Sequence, residues 1–174
     1  MGRCRYASLV DLKAGYHNVR WDSTNCYSVF ATHVGKYRWL RMPFGLTNAP
    51  AHFQWAMEDI INGAGSGGEA REQLSCHVYL DDFTITSNTL EGCLQQTLEA
   101  IKRLAEAGAM VNLKKSKVGG LTGKVLGHHW SSGGYFTPEQ KGLRALLEMD
   151  HPQLQALPVA SVYGMLSFFR PYIG

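Results

Sequence analysis

The acidic residues carry the first chemical signal in this sequence. Asp81 and Asp82 are adjacent in the middle of Cys76–Thr86, where apolar and polar residues alternate, and Asp11 lies near the end of the run Tyr6-Ala-Ser-Leu-Val-Asp-Leu. An Asp-Asp pair is an ordinary hairpin-turn dipeptide, and alone it says no more than that. If the strands carrying these residues are neighbours, three carboxylates meet at one end of a sheet, where each close pair repels by about 4 kcal/mol at an effective dielectric near 20. A divalent cation relieves that repulsion. Oxygen-only ligation suits Mg²⁺, with Mn²⁺ as the alternative, rather than zinc. Two such ions about 4 Å apart would activate an attacking hydroxyl and stabilise a leaving pyrophosphate.

The elements that must position these acids are readable from periodicity. Tyr6 to Leu12 reads as a short strand, and His17 to Met42 as a strand followed by a hairpin, with turn residues at Asp22 to Asn25 and at Gly35. Thr47-Asn48-Ala49-Pro50 opens a helix whose Phe53, Met57, Ile60 and Ile61 share one face until Asn62-Gly63 stops it. The Gly/Ser-rich run 63–68 has the composition of a flexible linker. Val78 and Leu80 before the acid pair, with Phe83 and Ile85 after it, predict a β-hairpin with Asp81-Asp82 at its turn. Asn88, with Glu91 three residues on, starts a long helix through Leu90, Leu94, Leu98, Ile101 and Leu104 that ends at Gly108. Val111 to Leu113 and Lys124 to Trp130 read as further short strands, and Thr137-Pro138 and Pro158 open two last helices. This order predicts an α+β fold of split-βαβ, ferredoxin-like type: a mixed, mostly antiparallel sheet with helices on one face, plus an appended β-hairpin and C-terminal helices. Such a sheet sets Asp11 at the end of a central strand, beside the Asp81-Asp82 turn.

Composition bounds the alternatives. A chain of 174 residues with 45% hydrophobic and 18% charged residues is no disordered polymer, and at this length it can bury about 70% of its unfolded surface. No run approaches the length of a membrane-spanning helix and the first residues lack a signal-peptide core, so a soluble intracellular protein, cytoplasmic or nuclear and without a membrane partner, is expected. The cysteines, Cys4, Cys26, Cys76 and Cys93, stand singly and read as reduced thiols; no His or Cys spacing predicts structural zinc. The net charge of +3 conceals segregation: residues 1–41 balance to +5, residues 57–106 to −6, and 111–124 hold four lysines without an acid. Basic segments flanking an acidic middle suit a phosphate backbone gripped beside metal-binding carboxylates; solvated surface is the plainer alternative. Lys36-Tyr37-Arg38-Trp39-Leu40-Arg41 interleaves aromatic and basic residues, which fits base stacking or a half-buried hairpin.

Three motifs carry a family resemblance. Tyr79-Leu80-Asp81-Asp82 resembles the Tyr-x-Asp-Asp signature of reverse transcriptases, and Val10-Asp11-Leu12-Lys13-Ala14-Gly15-Tyr16-His17 resembles their first catalytic-acid motif. Met42-Pro43-Phe44-Gly45-Leu46-Thr47-Asn48-Ala49-Pro50-Ala51-His52-Phe53-Gln54 resembles the helix-opening motif of the gypsy-like long-terminal-repeat group almost residue for residue. Leu126-Gly127-His128 is similar to a primer-grip hairpin, and Tyr163-Gly164 with Phe168-Phe169-Arg170-Pro171-Tyr172-Ile173 to the start of a thumb. The resemblance implies a polymerase palm at 6–16 and 47–125, a fingers-like hairpin at 17–46, a primer-grip-like hairpin at 126–136 and the start of a thumb at 137–174. It implies two-metal nucleotidyl transfer from a dNTP to a primer 3′-hydroxyl on an RNA or DNA template. Asp11, Asp81 and Asp82 would be the catalytic metal ligands. Leu12, Tyr16, Phe44, Gly45, Gln54 and Lys114 would meet the incoming nucleotide and templating base. Tyr16 would act as the steric gate under the sugar, with core packing as its other reading, and Lys115 or Lys117 would be alternatives to Lys114 at the triphosphate. Tyr79, Gly127 and His128 would lie along the nucleic acid.

The chain departs from complete family members. It begins just before the first catalytic motif and stops at the opening thumb helix, so most of the fingers, the full thumb and a ribonuclease H region are expected elsewhere in a longer polyprotein. The interval from Phe53 to Asp81 is longer than the family pattern and contains the Gly/Ser run. A domesticated nucleic-acid-binding module or subunit is the competing reading, and another metal-dependent palm enzyme, such as a nucleotidyl cyclase, a more distant one.

Overall fold

A sheet of four antiparallel strands holds the centre of the molecule: β1 (Tyr6–Asp11), β4 (Cys76–Tyr79), β5 (Asp82–Ser87) and β6 (Lys117–Gly120), in the order β4-β5-β1-β6. The computed structural model describes residues 4–21, 28–63, 72–150 and 157–172. Two helices complete the split βαβ arrangement, α1 (Ala49–Asn62) between β1 and β4 and α2 (Leu90–Glu106) between β5 and β6. The predicted fold class and order of these elements hold, and each pairing in the sheet is antiparallel.

Strand alternation divides the central pair into two faces. The register sets Val10 opposite Phe83, Ser8 opposite Ile85 and Asp11 opposite Asp82. Val10, Phe83 and Ile85 bury against Phe53, Met57 and Ile61 of α1 and Ala100 and Leu104 of α2, forming the main core. Ser8 faces the same side, where its hydroxyl accepts from Thr97, lies 3.3 Å from Cys93 Sγ and takes the Gly119 N–H. A polar residue in this core is thus fully partnered. The opposite face is covered by a second sheet, β7 (Thr122–Val125), β8 (His128–Ser131) and β9 (Tyr135–Pro138), whose Trp130 packs with Ala7 and Cys4.

Local signals explain most boundaries. Pro50 sits in the first turn of α1, and Gly63, at φ +69, turns left-handed to end it. The cap of α2 is Thr89, whose hydroxyl accepts from Gly92 N–H, rather than Asn88 one residue earlier. The basic-aromatic stretch begins in β3 (Gly35–Arg38), which pairs with β2 (Val29–Thr32) as an exposed hairpin, while 15–18 coil into a 3-10 turn. Lys124–Trp130 is two strands turning at Leu126-Gly127, and Val111 contributes only a bridge to Leu12. Pro138 ends β9, and α3 (Gln140–Leu147) starts after it; α4 (Val159–Phe169) is the last helix. Cys4, Cys76 and Cys93 are free thiols. The turn at Asp22–Asn25, Cys26, the residues 64–68 and Ile173 lie outside the described residues. No helix among the described residues is long and apolar enough to cross a membrane.

One buried charge fixes the surroundings of the long interval. Arg103 of α2 is only 4% exposed. Its guanidinium donates to the carbonyls of Ile61 and Glu72 and to Glu99 Oε1. One side chain thus ties the last turn of α1 to the chain entering β4.

Candidate active site

The acids converge because register and turn bring them together. Asp11 ends β1 and Asp82 begins β5 directly opposite, both on the face away from the helices, while Asp81 occupies the two-residue turn between β4 and β5. The Asp81 carbonyl accepts the Leu12 N–H at 3.3 Å, tying the turn to the end of β1. Leu80, the other turn residue, has φ +51, a left-handed conformation strained for a leucine.

The electrostatics are those of an anionic site that Lys115 compensates only in part. Partial burial, then Asp81, then Asp11 push the Asp82 carboxyl above its ordinary range, and Lys115 pulls the other way. Asp11 Oδ2 is buried without a hydrogen-bond partner, and Lys115 Nζ stands 4.0 Å from it, too far to bond. A buried, orphaned carboxylate oxygen asks for a cation. Among the described residues no three metal-ligating side chains close into a ready-made cage. An open arrangement of carboxylates fits Mg²⁺, which takes one or two protein carboxylates and fills its octahedron with water and phosphate.

Around the acids lies a cleft of about 170 Å³ lined by Leu9, Asp11, Asp82, Thr84, Lys115, Lys117, Lys124, Val125 and Leu126. Lys115 reaches it because the turn at 112–116 is bonded to the backbone of Asp11: Asn112 N–H donates to Asp11 O, and Asp11 N–H donates to Ser116 Oγ. Lys114 does not line this cleft. Lys124 does, but it is paired with Glu139 at 2.8 Å. An adjoining apolar cavity of about 340 Å³ runs from Tyr79 and Asp82 to His128 and Phe136.

The other anticipated residues fall into place unevenly. Tyr16, on the 3-10 turn after β1, packs edge-on against Phe53 at 5.0 Å and tilted against Phe44 at 5.2 Å, partly buried. Phe44 itself is 68% exposed beside Gly45, whose φ of +91 only glycine tolerates freely; a Cβ there would meet nothing within 4 Å. Leu12 is 4% exposed, its side chain in the core. Tyr79 is exposed at the end of β4. His128 stacks on Phe168 at 4.5 Å and lies 2.8 Å from the Tyr172 hydroxyl through Nδ1, while Gly127 leaves room for the Phe168 ring. Gln54 faces the Leu80-Asp81 turn, bonded to Val78 and Leu80.

Two residues at the site had not been singled out. Gly15 has φ +29, and a Cβ on it would stand 3.2 Å from Asp81 Oδ2. Asn18 holds the same 3-10 turn, donating to the Lys13 and Gly15 carbonyls and accepting from Met110 N–H. A glycine four residues after an acid is the only sequence signal for the first; nothing marks the second.

Fold and acids together define a polymerase palm. The reverse transcriptase (RNA-dependent DNA polymerase) family matches residues 1–130, and the chain belongs to that family. It is 31% identical over 176 residues to the retrovirus-related Pol polyprotein from transposon opus of Drosophila melanogaster, covering 99% of this chain and 16% of that one. The transposon gypsy polyprotein of the same fly is 29% identical over the same span, and the Tf2-3 polyprotein of Schizosaccharomyces pombe is 29% identical over 94% of this chain and 12% of its own length. The chain thus spans about a sixth or less of these relatives. Among solved structures, the foamy viral protease-reverse transcriptase in complex with RNA/DNA hybrid superposes with a TM-score of 0.74 at 23% identity, over 98% of this chain and 22% of that one. The same enzyme in complex with double-stranded DNA gives 0.75 at 23% identity, over 98% and 28%. The chain is a reverse transcriptase domain of the kind retroelement polyproteins carry.

Proposed function

We propose that this domain extends a primer by nucleotidyl transfer from a dNTP on an RNA or DNA template, as the catalytic palm of a retroelement polymerase. The observation that carries the reading is the direct opposition of Asp11 and Asp82 with Asp81 in the adjoining turn, together with the orphaned Asp11 Oδ2. Asp11, Asp81 and Asp82 would hold Mg²⁺ or Mn²⁺, which when bound activates the 3′-hydroxyl and neutralises charge on the leaving pyrophosphate. Tyr16, braced by Phe44 and Phe53, offers a rigid wall where the sugar of the nucleotide would lie. Lys115 brings a positive charge to the phosphate side of the cleft, and Tyr79 with His128 would follow the primer strand. The solved relatives bound to hybrid and duplex support a nucleic-acid partner. On this reading 6–16 and 47–125 serve as palm, 17–46 as part of the fingers, 126–136 as primer grip and 137–174 as the root of the thumb, and the domain works inside the cell, where dNTPs are.

The deciding experiment is single-nucleotide extension of a DNA primer on RNA and DNA templates with Mg²⁺ and then Mn²⁺, beside Asp81→Asn. Incorporation that the variant lacks is the expected result; equal incorporation by both overturns the assignment of the acids. Duplex binding with no incorporation by either, even when the remaining polymerase segments are supplied, favours a binding module instead.

A further inference from the structure

We infer that Gln54 is a positioning residue, not a template contact: its side-chain amide clamps the strained turn that carries Asp81 and Asp82. Three of its hydrogen-bonding positions, including both N–H groups, are taken up within the protein. Oε1 accepts the Leu80 N–H at 2.7 Å, while Nε2 donates to Val78 O at 2.8 Å and to Glu58 Oε1 at 2.7 Å. The orientation of the amide is dictated by chemistry, since turning it over would set oxygen against a carbonyl and a carboxylate, and N–H against N–H. Both N–H groups are spent on these acceptors, leaving the templating base no donor.

The clamp acts where the backbone is least content. Leu80 sits at φ +51 with no glycine or asparagine to make that conformation easy, and Asp81 and Asp82 follow it immediately. Gln54 satisfies the Val78 carbonyl and Leu80's own N–H, the two backbone groups leading into this residue, from α1, an element packed rigidly through Phe53 and Met57. Glu58, one helical turn on, fixes the amide in place. Without Gln54 the turn has a cheaper conformation to relax into, and the carboxylates would shift with it.

This inference rests on the polymerase reading but is tested partly without it. In the 174-residue chain, Gln54→Met keeps the side-chain length and removes all three bonds. The expected result is a kcat lowered on the order of 100-fold, the loss that an ångström-scale misplacement produces. The KM for dNTP and the affinity for primer–template would stay within about twofold, since neither substrate touches Gln54. Mn²⁺ binding followed by electron paramagnetic resonance would weaken, and Leu80 amide hydrogen exchange would quicken, whether or not the domain polymerises. Leu80→Gly added to Gln54→Met relieves the strain the clamp opposes and would restore part of the Mn²⁺ affinity. A raised KM or altered base selection, with Mn²⁺ affinity and Leu80 exchange unchanged, would overturn the inference in favour of a template contact. If the wild-type chain incorporates nothing, the exchange and Mn²⁺ measurements alone decide it. Should Gln54→Met not fold, Gln54→Ala, which removes the same three bonds with the best helix former, takes its place, and Mn²⁺ affinity and Leu80 exchange equal to wild type in that variant would overturn the inference.

Discussion

At the residue scale the candidate site is a cluster of like charges that Lys115 offsets only in part. Asp82 is held above the ordinary 3.8 of an aspartate by partial burial and its acidic neighbours. The folded metal-free chain therefore binds that proton more tightly than the unfolded chain, and the linked stability, full below the unfolded value, is lost as pH rises through the folded one. Asp82→Asn removes the loss: urea unfolding in EDTA should show the variant more stable than wild type at pH 7 and no more stable at pH 3, and an equal difference at both would show that repulsion is not the cause. The lysines separate by position. Lys115→Ala should raise the KM for dNTP several-fold in steady-state extension, and Lys114→Ala should leave it unchanged. The convergence of the three acids was legible, because strand order and the turn between two apolar runs set Asp11 beside Asp81 and Asp82. Which lysine reaches the cleft was not, since a one-residue step in an aperiodic turn reverses direction without changing composition. The contacts of Gln54 with Val78 and Leu80 were not legible for a related reason: a polar residue on a helix looks alike whether it meets a substrate or a neighbouring turn.

At the scale of elements, stability is concentrated in a few tethers. Arg103 satisfies two backbone carbonyls while almost fully buried. Arg103→Ala leaves them unpaired and should lower unfolding stability by about 3 kcal/mol in urea titration. Thr89→Ala removes the α2 cap, with an expected loss of about 1 kcal/mol, whereas Asn88→Ala should do much less. Helices and the central strands could be read ahead because their apolar period is strong. The edges resisted: β6 is Lys-Val-Gly-Gly and β7 is Thr-Gly-Lys-Val, four-residue strands rich in a residue that strands disfavour, stabilised by pairing that no local pattern announces. The three-stranded sheet was read as a strand at Lys124–Trp130 and a hairpin at 126–136; the turn at Leu126-Gly127 was hidden inside an apolar run, and Thr137-Pro138, read as a helix start, masked the end of β9.

At the scale of the whole molecule, one sheet separates two tasks: its helical face stabilises, and its other face presents acids and lysines to the cleft. Binding to a primer–template should weaken steeply with salt, and Lys115→Ala should flatten the log–log slope by about one unit in a fluorescence anisotropy titration. A flat salt response in the wild type would remove the lysines from the interface. Charge segregation along the chain did not announce this division, since Asp11 lies in a net-basic segment; nor did anything announce that a second sheet roofs part of the acidic face, because long-range sheet-on-sheet contact leaves no periodic trace. The grip of Arg103 on Ile61 and Glu72 has a consequence for the life history of such a domain. Whatever joins those two points begins and ends at fixed anchors, so its length can drift between lineages while α1, the clamp and the acids keep their places. On the polymerase reading, an affinity tag inserted into that interval should leave primer extension unchanged, which the single-nucleotide assay checks.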